Sequence, residues 1–492
     1  MKDNATETVT PQIIAAPPHD HRWLAFGVLC LGALMIVLDV TIVNVALPSI
    51  REALGFSETS LAWVVNAYLL TFGGCLLLGG RLGDLYGHRH VFLIGLAGFS
   101  LASLACGLSY SQGLLVVARA VQGIGGAVVD AVALSLMMNL FTEPAERAKA
   151  MGVFGFVCAG GGSVGVLLGG VLTAALSWHW IFLVNVPVGA LVIVLTLRWL
   201  PGVRGDTLHK HLDLGGAVTI TAALLLAVYA VVNGNAAGWT SARTLGLLAV
   251  ALVLFAVFLS IEARVRAPLM PLKLFRLRNL STANVVGVLW AAAMFAWFFL
   301  SALYLQLVLG YTPMQVGLAF LPANVIMAVF SVGLSARLVM RFGYRLPLTA
   351  GLGLAAAGLL LFARAPLGGS FVIDVLPGML LLGIGAGIAF NPVLMAAMND
   401  VAPSESGLAS GIVNTAFMMG GALGLAVLAS IASARTSALL SSGHAQLVAL
   451  NGGYHLAFFA GACFATLAAA VGAIWLRGRS AITAQVAEPV EP

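Results

Sequence analysis

Long apolar runs, separated by short polar or charged segments, fill this sequence from Trp23 to Trp475, and we count fourteen of them. A helix that crosses a bilayer needs about 20 apolar residues and satisfies its own backbone hydrogen bonds. Charged residues make up only 9% of the chain, whereas soluble globular domains carry about 25%. The sequence therefore predicts an all-α polytopic membrane protein with fourteen transmembrane helices.

The distribution of positive charge predicts how these helices are oriented. If both termini are cytoplasmic, nineteen lysines and arginines lie in inner segments and only four, Arg51, Arg243, Arg364 and Arg435, lie in outer ones. Cytoplasmic loops of membrane proteins carry such an excess of positive charge. We therefore expect both termini to be cytoplasmic. The net charge of +6 reflects these inner loops and requires no nucleic-acid partner.

A short charged turn occurs twice in the chain. The first copy, Gly80–Arg89, is rich in glycine, and its Asp84 can pair with the neighbouring arginines or cap a helix end. The second copy, Arg337–Arg345, repeats Arg81, Leu82, Gly87 and Arg89 in register, with Met340 at the position of Asp84. Two homologous halves of this kind are typical of secondary transporters.

The repeat divides the chain into five parts. We expect a cytoplasmic tail over 1–22, a six-helix bundle over 23–200, and a linker with two extra helices and a basic inner segment over 201–280. A second six-helix bundle is expected over 281–476 and a cytoplasmic tail over 477–492.

One carboxylate lies well inside the first apolar run. Asp39 precedes Pro48, which we expect to close this helix. A carboxylate within the membrane is costly and normally faces a cavity or a partner. Asp39 is therefore either a proton or cation site or a buried, hydrogen-bonded packing residue.

The fourth apolar run carries a polar stripe. Arg119, Gln122, Gly126 and Asp130 share one helix face at about 100° per residue. Arg119 and Asp130 are roughly 16 Å apart along the helix, too far for a direct pair. Asp39 is the candidate partner of Arg119. The alternative is that the stripe makes polar contacts between helices without a role in transport.

Further candidates come from the other apolar runs. Glycines spaced four apart in the fifth run predict close helix packing, and they can also seal one end of a transport pathway: Gly161, Gly165 and Gly169. Polar and aromatic residues that could line a substrate cavity, or simply bond neighbouring helices, are Asn66, Tyr68, Gln122, Trp290, Trp297, Asn391 and Asn414.

Together these segments resemble the major facilitator superfamily, specifically its fourteen-helix drug:proton antiporter branch. The turn Gly80–Arg89 is similar to the superfamily's inner loop, and Leu38–Pro48 is similar to the first-helix motif of the branch, with Asp39 at its acidic position. Arg119–Ala127 resembles the fourth-helix motif, and Trp178–Pro187 resembles another segment of the branch. The resemblance covers roughly Trp23 to Trp475.

The sequence departs from the family pattern at several positions, two of which bear on proton coupling. Val166 stands where the fifth-helix antiporter motif has proline, and Asp130 is an acid where the family usually has an apolar residue. The resemblance implies the major facilitator fold. It also implies proton coupling by Asp39 and Arg119, with Asp130 as an added proton or cation site.

The resemblance implies an inner gate formed by the charged turn, namely by Gly80, Asp84, Gly87 and Arg89. The expected protein is a proton-coupled efflux transporter of small amphipathic molecules in the plasma membrane, not an enzyme. We expect a monomer that uses the proton gradient and needs no cofactor and no metal. Partners are then the small-molecule substrate, protons and the bilayer; an adaptor protein is compatible with this picture.

Two alternatives remain open at this point. The protein could be a proton-coupled importer, or an exporter or importer of one endogenous metabolite with or without proton coupling, and the departure at Val166 keeps these readings open. A membrane enzyme or sensor is the other class, but no nucleophile–base pair, metal-ligand cluster or nucleotide-binding loop is apparent in the sequence.

Overall fold

Helices account for nearly all of the regular structure. A computed structural model describes residues 19–141, 143–200, 213–265, 268–401 and 405–477, and no strand occurs within these ranges. The sixteen α-helices of this part are α1 (His19–Leu54), α2 (Glu58–Tyr86), α3 (His88–Gly107), α4 (Gln112–Leu140), α5 (Pro144–Ala175), α6 (Trp180–Leu183), α7 (Asn185–Trp199), α8 (Leu214–Ala237), α9 (Ala242–Arg264), α10 (Arg278–Leu303), α11 (Pro313–Val329), α12 (Ala336–Phe342), α13 (Arg345–Phe362), α14 (Leu376–Met398), α15 (Ser406–Ser441) and α16 (Gln446–Trp475).

These helices make fourteen crossings. α6 and α7 form one crossing, and α11 and α12 form another through the π-helical segment Phe330–Ser335. Thirteen crossings in the described part are long and apolar enough to span a bilayer, and α5 adds a shorter apolar stretch, Gly160–Ala175. The prediction of an all-α protein with fourteen membrane helices is confirmed by this arrangement.

The prediction that Pro48 closes the first helix is wrong. α1 continues through Pro48 to Leu54. Proline lacks a backbone N–H and leaves the carbonyl four residues earlier, that of Asn44, without its helical donor. Membrane helices tolerate such a gap because neighbouring groups can satisfy the freed carbonyl.

The two halves repeat the same packing. α1 lies against α5 as α10 lies against α15, and α3 lies against α4 as α13 lies against α14. Between the halves, α2 packs on α15 and α5 packs on α11. These two interfaces are equivalent, because the repeat relates α2 to α11 and α5 to α15. α8 and α9 pack on each other, and α8 also contacts α2 and α15.

The repeated turns both place glycine at a positive φ. Gly87 between α2 and α3 has φ +90°, and Gly343 between α12 and α13 has φ +71°. A side chain disfavours this region, which explains why both copies keep glycine. We call the side of the bundle that carries this turn the Gly87 end, and the opposite side, where Ser57 caps α2, the Ser57 end.

Candidate functional site

A buried polar network surrounds the Asp39 carboxylate on α1. Arg119 Nη1 donates to Asp39 Oδ2 at 2.5 Å, and Oδ1 accepts hydrogen bonds from Gln122 Nε2 at 2.7 Å and Asn185 Nδ2 at 2.8 Å. The relative exposure of the Asp39 and Arg119 residues is 0% and 1%. The expected pairing of these two residues is confirmed, and both carboxylate oxygens have donors.

The Arg119 guanidinium is held from several directions. Its Nε donates to the Val64 carbonyl at 2.9 Å, and Nη1 also reaches Gln122 Oε1 at 2.7 Å. The guanidinium carbon lies 4.4 Å from the ring centroid of Tyr68 and 5.6 Å from that of Phe182. Aromatic faces attract a cation, so the site places the positive charge between a carboxylate and two rings.

The network ties together five helices of the first half. Asp39 comes from α1, Arg119 and Gln122 from α4, Asn185 from α7, and Ser103 of α3 receives a second hydrogen bond from Gln122 at 2.7 Å. The Val64 carbonyl adds α2. Removing one partner of such a buried ion pair leaves an uncompensated charge, which typically costs about 3–5 kcal/mol.

Sequence reasoning did not identify Asn185 and Ser103 as members of this network. Asn185 belongs to the segment Trp178–Pro187, whose similarity to the transporter branch was the available signal. In the same segment, His179 stacks on Trp178 with ring centroids 3.8 Å apart, and burial lowers the pKa of His179 below its ordinary value. His179 is therefore expected to be neutral at neutral pH.

A cavity of about 850 Å³ lies between the two halves at the Gly87 end. Most of its walls are apolar side chains of α2, α4, α14 and α15, such as Leu76, Leu134 and Leu394. Asp130 lies in this cavity and makes no hydrogen bond or ion pair with any residue in the described ranges. Asn414 lines the same cavity from the second half.

The charged turn forms the rim of this cavity. Gly80, Arg81 and Asp84 line it, and Asp84 Oδ1 lies 3.2 Å from His88 Nε2. The expected pairing of Asp84 with arginines is not seen: the sharp turn at Gly87 turns His88 toward Asp84 instead. Arg89 Nη2 donates to the Leu197 carbonyl at 2.6 Å, so this arginine does cap a helix end, that of α7.

At the Ser57 end the two halves are in contact. Gln306 Nε2, just beyond α10, donates to the Val45 carbonyl of α1 at 2.9 Å. A Cβ built on Gly170 of α5 would lie 2.8 Å from the Pro313 carbonyl oxygen of α11. The structure thus combines a cavity at the Gly87 end with packed halves at the Ser57 end.

The glycines of α5 lie against α1. A Cβ built on Gly161 would lie 2.9 Å from Leu34 Cδ1, and one on Gly169 would lie 2.7 Å from the Ile42 carbonyl oxygen. One on Gly165 would overlap the Thr41 hydroxyl. The backbones of α1 and α5 can approach this closely only because these positions lack side chains.

The remaining cavity candidates lie elsewhere in this conformation. Asn66 and Tyr68 of α2 and Trp290 and Trp297 of α10 are buried within the bundles, and their side-chain polar atoms have no hydrogen-bond partner in the described part of the chain. Asn391 is half-buried and donates to the Ser331 carbonyl at 2.8 Å. Their role in substrate binding stays a prediction.

No group of three or more His, Cys, Asp or Glu side chains is placed to hold a metal ion within the described ranges. The Asp39 network is already satisfied by arginine, glutamine and asparagine, so its chemistry is that of an ion pair. What the arrangement can do is exchange that pair for a protonated carboxyl and a separated guanidinium.

Comparison with known proteins agrees with this architecture. The sequence profile of the Major Facilitator Superfamily matches residues 29–425. The puromycin resistance protein pur8 of Streptomyces alboniger is 39% identical over 456 residues, which cover 90% of each chain. The cephamycin export protein CmcT of Amycolatopsis lactamdurans is 39% identical over 411 residues, 83% of this chain and 84% of the relative.

Solved structures show the same fold at low identity. A bacterial homolog of the human lysosomal transporter Spinster, in an inward-facing and unoccupied conformation, has a TM-score of 0.65 at 17% identity and covers 94% of this chain and 98% of its own. The human organic anion transporter MFSD10 has a TM-score of 0.62 at 18% identity, and the match covers 92% of this chain and 99% of MFSD10.

Proposed function

The chain belongs to the major facilitator superfamily, and from that premise we propose that it is a proton-coupled exporter of small amphipathic molecules of the antibiotic type. It is a multi-pass membrane transporter of small molecules rather than an enzyme. Two relatives at 39% identity are a puromycin resistance protein and a cephamycin export protein, which supports export as the direction of transport.

The observation that carries the proposal is the Asp39–Arg119 pair. An ionised carboxylate at 0% exposure is stable only while its donors stay in place. A proton that reaches Asp39 removes the negative charge and leaves Arg119 without its counter-charge. The helices α1 and α4 are then free to change their relative position, which couples proton binding to a rearrangement of the first half.

The cavity supplies the substrate side of the cycle. In the proposed orientation, with both termini in the cytoplasm, the Gly87 end is the inner face, so the cavity takes up cargo from inside. Apolar walls suit an amphipathic molecule, and the unpartnered Asp130 carboxylate suits a cationic group or a second proton. Rocking of the two halves would then expose the site at the Ser57 end.

The inner gate is the part of the cycle that closes this cavity. We assign it to the turn with Gly80, Asp84, Gly87 and Arg89, which rims the cavity here. In the opposite conformation Asp84 is expected to bind across the interface to the second half. We propose that the protein acts as a monomer in the plasma membrane. An adaptor protein is compatible with this function.

The proton gradient provides enough energy for this task. One charge that moves through about 100 mV releases about 2.3 kcal/mol. At about 1.4 kcal/mol per tenfold, that sustains a concentration ratio of about 50.

A transport experiment in cells tests the proposed function. Cells that produce the protein are loaded with an amphipathic fluorescent dye, and dye retention is followed before and after a protonophore is added. We expect low retention that rises to the level of control cells with protonophore. Low retention that does not change when the protonophore is added contradicts proton coupling. Retention equal to that of control cells, for a panel of dyes and antibiotics, contradicts drug export.

A further inference from the structure

Four arginines lie in the outer segments, where positive charge is rare. In the structure, two of them have a partner for their side chain and two do not. Arg243 donates to the Tyr229 hydroxyl at 2.9 Å, and Arg51 also has an interaction partner. The side chains of Arg364 and Arg435 make no hydrogen bond, ion pair or ring contact with any part of the chain that the structure describes. Both residues are exposed, so their guanidinium groups are accessible to a ligand outside the chain.

Both unpaired arginines line one pocket. A pocket of about 500 Å³ at the Ser57 end, between α13, α15 and α16, contains Arg364, Arg435 and His455. Arg435, expected in a loop, in fact lies in the last turns of α15, and Arg364 follows the end of α13. His455 Nε2 contacts the Ala365 carbonyl oxygen at 2.7 Å, which fixes the ring at the pocket wall.

The rest of the pocket is apolar and faces outward. Leu360, Leu456 and Phe459 line it and are 38%, 42% and 52% exposed. Exposed apolar side chains on a membrane helix face lipid tails, so the pocket joins the acyl region to a cationic site near the helix ends. A ligand that fits both parts has an anionic head and hydrocarbon tails.

We propose that this pocket is a binding site for an anionic phospholipid, whose phosphate is held by Arg364 and Arg435 and whose acyl chains lie along Leu360, Leu456 and Phe459. Guanidinium groups form paired hydrogen bonds to phosphate oxygens, which makes arginine the favoured residue for this contact. Basic pockets between membrane helices are a known form of lipid head-group recognition. The proposal is independent of what the protein transports.

Binding of phosphatidylglycerol to the purified full chain tests the proposal. Delipidated protein in detergent is titrated with phosphatidylglycerol, and the fraction of protein with bound lipid is measured by native mass spectrometry. The double variant Arg364→Gln/Arg435→Gln is expected to bind about 30-fold more weakly, the equivalent of about 2 kcal/mol for two contacts. Arg243→Gln is the matched control, since it removes an arginine from the same end outside this pocket, and it should bind within about twofold of wild type.

Three further measurements define the outcome. Phosphatidylcholine should bind wild type much more weakly than phosphatidylglycerol. The affinity of Arg364→Lys/Arg435→Lys should lie between those of wild type and the glutamine double variant, because the charge is retained and the paired hydrogen bonds are lost. Equal binding of both lipids, or unchanged binding by the glutamine double variant, overturns the proposal. Inorganic phosphate that raises the thermal transition of wild type as much as the lipid does overturns the lipid assignment in favour of a free anion. This comparison on wild type decides the question even if the double variant does not fold.

Discussion

The Asp39 carboxylate on α1 and the Arg119 guanidinium on α4 are joined by a 2.5 Å contact, and both side chains are sealed from solvent. The pair lies inside one half of the transporter, away from the cavity that opens at the Gly87 end. In the proposed cycle, a proton on Asp39 therefore acts on the packing of this half and not through direct contact with cargo in the cavity.

The first prediction concerns the stability of this pair. Arg119→Gln leaves the Asp39 charge buried without its cation and is expected to lower the free energy of unfolding by about 3–5 kcal/mol. Asp39→Asn combined with Arg119→Gln should cost less than the sum of the two single changes, because the charge conflict is removed. A double-mutant cycle by thermal unfolding in detergent measures this coupling. Strict additivity would show that the two groups do not interact.

Asn185 should contribute to the same network. Asn185→Leu removes one donor from Asp39 Oδ1 and is expected to destabilise the protein by about 1–3 kcal/mol. Asn233→Leu is the control, because its amide bonds only to Tyr229 within its own helix in the described structure. Equal effects of the two changes would exclude a specific role for Asn185.

The contact of α5 with α11 should control which conformation dominates. Gly170→Val introduces a side chain that meets Pro313 and is expected to separate the halves at the Ser57 end. Spin labels at Tyr110 and His444 in a cysteine-free background then report a longer distance. Gly160→Val is the control, since a Cβ there meets nothing within 4 Å. A distance unchanged by Gly170→Val would mean that this contact does not hold the halves together.

Asp130 should distinguish cationic from neutral cargo. Asp130→Asn is expected to weaken binding of tetraphenylphosphonium about tenfold, or ~1.4 kcal/mol, and to leave a neutral compound of similar size almost unaffected. Ser135→Ala changes the same cavity without a change in charge and serves as the control. Equilibrium binding to purified protein measures both probes. An equal loss for both probes would point to a structural role for Asp130.

The helix crossings and the Asp39–Arg119 pair could be predicted from the sequence because membrane segments carry few charges. The apolar runs predict the crossings, and the spacing of Arg119 from Asp130 leaves Asp39 as a candidate partner. Similarly, the repeat of Gly87 at Gly343 predicts matching turns, which the positive φ of both residues bears out.

Other contacts depend on packing that periodicity does not encode. Asn185 reaches Asp39 only because α7 packs beside α1 and α3, and nothing in its own helix predicts that neighbour. Asp84 meets His88 because of the backbone turn at Gly87. Every face of α10 contains apolar residues, so the sequence does not indicate which face lines a cavity. Trp290, a predicted cavity residue, is buried within the bundle.

Proton flux in liposomes tests whether Asp39 couples proton movement to export. Purified wild type, Asp39→Asn and Asp130→Asn are reconstituted with a trapped pH indicator and an imposed pH gradient, and antibiotics and dyes are added. We expect a transported compound to move protons in wild type and Asp39→Asn to abolish this movement. Loss only in Asp130→Asn would place coupling at the cavity carboxylate, and transport without any proton movement would contradict proton coupling.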